Sequence, residues 1–406
     1  MSDKRRYLKT HTWLTFGLNL SKMDFNFWFL LGAAQSKCRH ISGVPMKPDF
    51  AQKLYQVSLA KGALATTAIE GNTLSLEEVE ARIKKESSLP KSREYLGIEI
   101  DNIINAFNYV ANTEIDSGKD KKLSVEEIKR YNSMVLKNVD TLGEGVVPGE
   151  IRTYSVTVGN KYLGAPAEDC EFLLEKLCAW INNVTEWNRL GEDKKVAAGI
   201  LKAIIAHLYF AWIHPFGDGN GRTARLIELK ILLDNGIPAA AAHLLSNFYN
   251  ETRNKYYAIL EKTSKGDGDP HCFLEYALQG FVDALDVHIN TILKEQINVA
   301  WINYVYDYFR KNFPSRVGSR RRDLLLEISR IATMDDELES VTKNEIQSKI
   351  ALNPSLLKKY ADSQRMLQRD LNELVKIKLL IENTEAKYQP AFSTILSSYM
   401  SPCINV

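Results

Sequence analysis

Twelve consecutive residues, His214-Pro215-Phe216-Gly217-Asp218-Gly219-Asn220-Gly221-Arg222-Thr223-Ala224-Arg225, gather a histidine, a carboxylate, three glycines and two arginines. That mixture suits a site for a phosphate chain and a metal ion. Gly217, Gly219 and Gly221 permit positive φ and a close approach of backbone to ligand. Successive N–H groups in such a loop form an anion nest. The helix that begins near Asn220 adds the positive end of its dipole. Arg222 and Arg225 lie three apart on its first turn, where a cation needs an anionic partner. A polyphosphate would satisfy both. Asp218, the one acid of the loop, suits Mg2+ carried in with a nucleotide. His214 can take a proton near neutral pH. A Gly-x-Gly-x-x-Gly spacing alone is weak, and this loop does not follow a strand as a dinucleotide fold requires. The weight rests on the whole set in fixed order.

The elements that position this run are mostly helical. The patterns predict helices over 50–69, 98–110, 124–136, 170–187, 194–212, 226–233, 247–263 and 270–301. Ser75 with Glu78, and Ser124 with Glu127, read as helix caps. Ser87 to Ser92, with Pro90, reads as a linker. Thr153 to Val158 is rich in β-formers and Gly159-Asn160 is a turn signal, so a hairpin over Thr153–Tyr162 is expected. Val196 to Ile213 is long and apolar, but Lys202 and His207 interrupt it, which favours a buried central helix over a membrane span.

The run resembles the signature of the Fic family, His-x-Phe-x-Asp/Glu-Gly-Asn-Gly-Arg-x-x-Arg, at every fixed position. The resemblance implies a mainly α, Fic-fold core and a protein adenylyltransferase. Such an enzyme moves AMP from ATP onto a Tyr, Thr or Ser hydroxyl of a target protein and releases pyrophosphate. His214 would deprotonate that hydroxyl, and Asp218 would hold Mg2+ against the α- and β-phosphates. Gly217, Gly219, Asn220 and Gly221 would line the nucleotide phosphates, the last three gripping the α-phosphate region. Arg222 would hold the β-phosphate and Arg225 the γ-phosphate. Phe216 would anchor the loop. The hairpin resembles the family's flap and would pin the target segment beside His214 by β-augmentation, with Val158, Gly159 and Asn160 near the nucleotide. Tyr256 and Tyr257 lie where relatives carry aromatic residues near adenine and ribose.

A second stretch, Ala65-Thr66-Thr67-Ala68-Ile69-Glu70-Gly71-Asn72, resembles the family's inhibitory motif, Ser/Thr-x-x-x-Glu-Gly/Asn, at Thr66, Glu70 and Gly71. It implies that Glu70 pairs with Arg225 in a two-pronged ion pair, takes the γ-phosphate's place and leaves the α-phosphate misaligned. The same glutamate could position water for the reverse reaction, making the protein a de-adenylylase.

Near residue 310 the composition shifts. Arg310, Lys311, Arg316, Arg320, Arg321 and Arg322 cluster around Pro314 and Gly318 and are expected to mark a junction and to contact phosphates. Helical patterns at 324–331, 343–350 and 363–375, then strands at 379–381 and from Tyr388, read as a winged helix-turn-helix. Arg365, Gln368 and Arg369 are its expected exposed residues, while Asp362, Asp370 and Glu373 dilute the charge. The expected domains are 1–94 with the inhibitory helix, 95–300 as the catalytic core and 315–406 as the winged helix. DNA and a docked protein stand equal as partners of the last. A regulator that senses nucleotide and binds DNA is therefore a further reading.

With 45% hydrophobic residues in 406, the chain can bury more than one core. A net charge of +2 excludes a wholly electrostatic nucleic-acid binder. Cys38, Cys170, Cys178, Cys272 and Cys403 are odd in number and unpaired in spacing, which points to a reducing, cytoplasmic setting. No signal peptide or membrane partner is expected, and a homodimer is compatible with such a helical core.

Overall fold

The computed structural model describes residues 5–86, 89–117, 122–140, 142–159, 162–183, 187, 191, 194–265, 268–332, 340–360 and 364–396. Asn160 of the expected flap, Ser87 and Ser88 of the linker, Asp362, Ser363 and Cys403 lie outside them. The chain divides into two compact units, Met1–Ile289 and Asn290–Val406.

In the first unit the longer helices are α1 (Phe25–Gly43), α2 (Pro48–Ala68), α3 (Leu76–Ile83), α4 (Glu94–Ser117) and α5 (Val125–Val135). A hairpin of β1 (Thr157–Val158) and β2 (Tyr162–Leu163) follows. Then come α6 (Cys170–Ile181), α7 (Lys195–Ile213), α8 (Asn220–Asp234), α9 (Leu244–Glu251), α10 (Arg253–Lys265) and α11 (His271–Asn312). The division between the units falls inside α11.

Helix α7 is the centre of this unit, packed by α1, α6 and α8. Among the described residues it alone is long and apolar enough to cross a membrane, yet 83% of its apolar window is buried, as a core helix apolar on every side would be. It stops at His214 because Pro215 removes the α-helical well from the residue before it. His214 turns to φ 50°, ψ 59° while its N–H still closes the last turn on Phe210 O at 2.9 Å. Helix α2 starts with Pro48 in its first turn and ends before Gly71, whose φ of +110° few other residues adopt. The caps at Ser75 and Ser124 form: each hydroxyl accepts the N–H three residues on, from Glu78 and Glu127.

Two predicted spans change. The hairpin is shorter than Thr153–Tyr162, pairing only Thr157 with Leu163 and Val158 with Tyr162. Upstream, Ile151 bridges Phe216 and the Arg152 guanidinium takes the Tyr154 carbonyl, so that backbone serves the central loop instead. The expected helix 247–263 is two helices, interrupted at Thr252, whose hydroxyl donates back to Phe248 O at 2.7 Å.

The second unit holds α12 (Arg316–Ala332), β3 (Val341–Thr342), α13 (Lys343–Leu352), α14 (Pro354–Tyr360), α15 (Gln364–Lys376), β4 (Leu380–Glu382) and β5 (Lys387–Pro390). Its antiparallel sheet runs β3-β5-β4. Strand β3 has two residues, too few to show alternation in a sequence. Trp301, Leu324, Ile328, Ile346, Leu371 and Tyr388 are among the residues of its separate core. Three arginines of the basic run are spent internally. Arg320 and Arg321 both reach the buried carboxylate of Asp370, and Arg322 pairs with Asp323. They are therefore not the free phosphate-binding cluster expected from their spacing.

Candidate active site

The loop between α7 and α8 is fastened from within. Phe216 is buried at 1% exposure. Its N–H donates to Asn220 Oδ1 at 3.0 Å, and Asn220 Nδ2 donates back to Phe216 O at 2.8 Å. The Asn220 side chain is thus committed to the loop's own backbone. Gly219 has φ +74° and caps α8, and a Cβ there would press on Asn132 and Leu136. A Cβ on Gly217 would strike the Tyr154 hydroxyl.

Two residues without a signature in the motif hold this loop from outside. Asn132, fully buried on α5, donates to Asp218 O at 2.9 Å and accepts from Gly149 N–H at 2.9 Å. Arg152, also buried, donates Nε to His214 O at 2.7 Å, Nη1 to Tyr154 O at 2.7 Å and Nη2 to Ala165 O at 2.5 Å. One guanidinium therefore ties the base of the flap to the turn that carries His214. Asn132 had a readable signal: an amide sharing the face of Ile128, Tyr131 and Val135. Arg152 had none: it binds backbone carbonyls, which carry no mark in a sequence, and the one on the His214 turn is 62 residues away.

A cavity of about 560 Å³ opens on this loop. Glu70, Val158, Gly159, His214, Gly221 and Tyr257 are among its lining residues, with Asn220 and Tyr256. His214 is half-buried in it. Burial pushes the imidazole down to about 4; the Ala211 backbone pulls up, Arg152 pushes down, and Glu70 and Asp218 pull up. At neutral pH the ring is therefore uncharged and can accept a proton.

The two motif arginines point at acids. Arg222 is 5% exposed; its Nη1 lies 3.3 Å from Glu99 Oε1 and its Nη2 3.3 Å from Asp218 Oδ1. Glu99 also accepts from Asn72 Nδ2 at 2.9 Å, a link to the turn after Glu70 that the sequence did not betray. Arg225 is 1% exposed, and its Nη2 donates to Glu70 Oε1 at 2.5 Å and to Thr66 O at 2.9 Å. Its Nη1 and Nε have no partner. The expected two-pronged pair is thus single-pronged, with the Thr66 carbonyl on the same nitrogen that meets Glu70. Thr66 acts through its carbonyl, and its buried hydroxyl is unpartnered.

The Glu70 carboxylate rests against Gly221, where a Cβ would collide with Oε1. It therefore occupies the N-terminal end of α8, where unpaired N–H groups and the helix dipole favour an anion. Burial pushes its pKa up, but the charge and hydrogen bond of Arg225, with Arg222 and His214, outweigh that and hold it below the ordinary value. Its side chain stays 34% exposed.

Tyr257 donates its hydroxyl to Ile69 O at 3.2 Å, gripping the end of the helix that carries Glu70. Tyr256 is buried, stacked on Tyr249 at 4.9 Å, with its hydroxyl 2.9 Å from His207 Nε2. Asp218 keeps its side chain 44% exposed, with Oδ1 engaged by Gly219 N–H and Arg222. No group of three His, Cys, Asp or Glu that could cage a metal occurs among the described residues. A single part-exposed carboxylate would nonetheless fit Mg2+ carried in with a phosphate ligand, since that ion keeps several waters and binds largely through substrate phosphates.

Residues 122–232 match the family model described as "Fic/DOC family". The chain is similar to Protein adenylyltransferase fic-1 of Caenorhabditis briggsae, 31% identical over 234 residues, 58% of this chain and 42% of the relative. The protein of the same name from Caenorhabditis elegans is 30% identical over 236 residues, 56% of this chain and 42% of the relative. The chain spans about two-fifths of the length of these curated relatives. Among solved structures, Fic-1 (residues 134–508) from C. elegans has a TM-score of 0.53 at 23% identity, over 66% of this chain and 74% of that one. A Fic family protein from Desulfovibrio desulfuricans G20 has a TM-score of 0.56 at 18% identity, over 92% of this chain and 98% of that one. At these identities the two structures speak for the fold alone.

Proposed function

We propose, for a chain whose residues 122–232 match the Fic/DOC family model, that it transfers AMP from ATP to a Tyr, Thr or Ser hydroxyl of a target protein and is restrained by its own Glu70. The observation that carries this reading is the Glu70 carboxylate at the α8 N-terminus, bound to Arg225. An anion site beside a neutral histidine is already formed, and an internal anion fills part of it.

In the proposed reaction the target hydroxyl lies beside His214. Its oxygen attacks the α-phosphorus, the bond from that phosphorus to the bridging β-oxygen breaks, and pyrophosphate leaves. His214, uncharged beforehand, takes the hydroxyl proton. The N–H groups at the start of α8 stabilise charge gathering on the α-phosphate. Arg222 and Arg225 would exchange Glu99, Asp218 and Glu70 for the β- and γ-phosphates. Asp218 would hold Mg2+, which when bound neutralises charge on the phosphates. The short β1–β2 hairpin would offer its edge to the target segment. Arg152, tied to both hairpin base and His214 turn, keeps the two in register.

With Glu70 on Arg225, the γ-phosphate loses its partner and the α-phosphate sits off line. The carboxylate's partial exposure within the cavity also favours a second role, orienting water for removal of AMP from a modified target. The elements from α12 to β5 fit a winged helix-turn-helix, with α15 before the β4–β5 wing.

The test is AMP transfer from α-labelled ATP by the Glu70→Gly protein with and without His214→Ala. The second change is expected to abolish label transfer while ATP binding persists. Undiminished transfer by the double variant would remove His214 from the reaction.

A further inference from the structure

Two of the acids that dilute the charge of α15 in the sequence, Asp370 and Glu373, are engaged on its inner side. Asp370 is fully buried and accepts from Arg320 Nε at 2.7 Å, Arg321 Nε at 3.0 Å and the Tyr360 hydroxyl at 2.9 Å. Glu373 flanks the same side and pairs with Arg321 Nη1 at 3.4 Å. Leu367, Leu371 and Leu374 fill the rest of the inner face. What remains outward is Gln364, Arg365, Gln368, Arg369, Asn372 and Lys376. All of these are exposed except Gln368, which is half-buried and donates to Asn372 Oδ1 at 2.9 Å. At 3.6 residues per turn these six fall within an arc of about 140°. That arc carries three cations, three amides and no carboxylate.

We propose that this face of α15 binds duplex DNA, with the helix laid in the major groove. Three features favour DNA over a protein partner. The one apolar side chain within this arc, Val375, is half-buried against the unit's core, whereas a protein-docking centre is built on aromatic and aliphatic anchors free to meet a partner. Arginine and amide side chains are those that pair bidentately with guanine and adenine edges in the major groove. Asp370 is buried on Arg320 and Arg321 and Glu373 pairs with Arg321, so both described carboxylates of α15 are engaged by arginines of α12. The inference is independent of AMP transfer, since it rests on a helix of the second unit alone.

The experiment uses the full chain and a fluorescent duplex of randomised sequence, about two helical turns long, read by anisotropy over a range of salt concentrations. The wild type is expected to bind with an affinity that falls as salt rises. The Arg365→Ala/Arg369→Ala/Lys376→Ala protein is expected to bind at least about tenfold more weakly with a shallower salt slope. Its melting temperature and AMP transfer are expected to match the wild type, which separates a lost surface from a lost fold. Equal binding by the triple variant, or no salt-dependent binding by the wild type, would overturn the proposal. A photo-crosslinker at Asn372 that yields protein adducts in cells and no DNA adduct would also overturn it, in favour of a protein-docking face.

Discussion

His214 and Glu70 line one cavity, and in the proposed reaction they act in opposite senses. Burial holds the imidazole near 4, so the base form prevails wherever pH exceeds about 5. For the Glu70→Gly protein, kcat/KM for AMP transfer should be flat in this group's titration from pH 6 upward and fall only in the acid range. Loss of the Glu70 charge, which pulls His214 upward, should move that acid limb further down. A limb centred at the ordinary histidine value of about 6.5 would show that the ring is not desolvated in the working enzyme. The residues proposed to meet phosphate stood out in the sequence because a histidine, glycines and arginines in fixed order have few other uses. Glu70 was legible for the same reason, its motif being continuous. Arg152 and Glu99 were not. Their contacts with the central run, to His214 O and Arg222, span 62 and 123 residues, so nothing near them in sequence marks what they hold there.

Elements were legible where local chemistry decides them. The Ser75 and Ser124 caps, the stop at Gly71 and the apolar run of α7 all follow from short-range rules. The hairpin was overextended because β-forming side chains between Thr153 and Val156 are overruled by Arg152 and by the Ile151–Phe216 bridge. In α15 the sequence showed acids and bases mixed, and only packing sorted them onto opposite faces. Asp370 is the hinge of that sorting. Burial raises its pKa, but bonds from Arg320, Arg321 and Tyr360 outweigh burial and hold it below the ordinary value. Its folded pKa is depressed, so its stabilisation is present above the unfolded value of about 3.9 and lost as pH falls through the folded one. Asp370→Asn should cost about 3–5 kcal/mol at pH 7 by leaving two arginines short of their buried partner. Denaturant melts at pH 7 and pH 3 check this, the gap between variant and wild type narrowing at the lower pH. A gap that stays constant across that range would mean the carboxylate is not charged in the fold.

On the scale of the whole molecule, the chain holds two compact units, and the second has a hydrophobic core of its own. Damage to one core need not disable the other. The Asp370→Asn protein should therefore still transfer AMP at temperatures where its weakened unit remains folded. The expected domain edges at 300 and 315 fall around a helix that runs unbroken from His271 to Asn312. Helical periodicity continues through a unit boundary, so composition alone pointed past it. In the proposed reaction the first unit has an AMP-transfer site restrained by its own glutamate. The rate at which wild type and Glu70→Gly label lysate proteins from α-labelled ATP tests this. Misplacement of the α-phosphate by about 1 Å is worth on the order of a hundredfold in rate, so the variant should label proteins about that much faster. Equal labelling by the two proteins would contradict the account, since Glu70 would then be a bystander on Arg225.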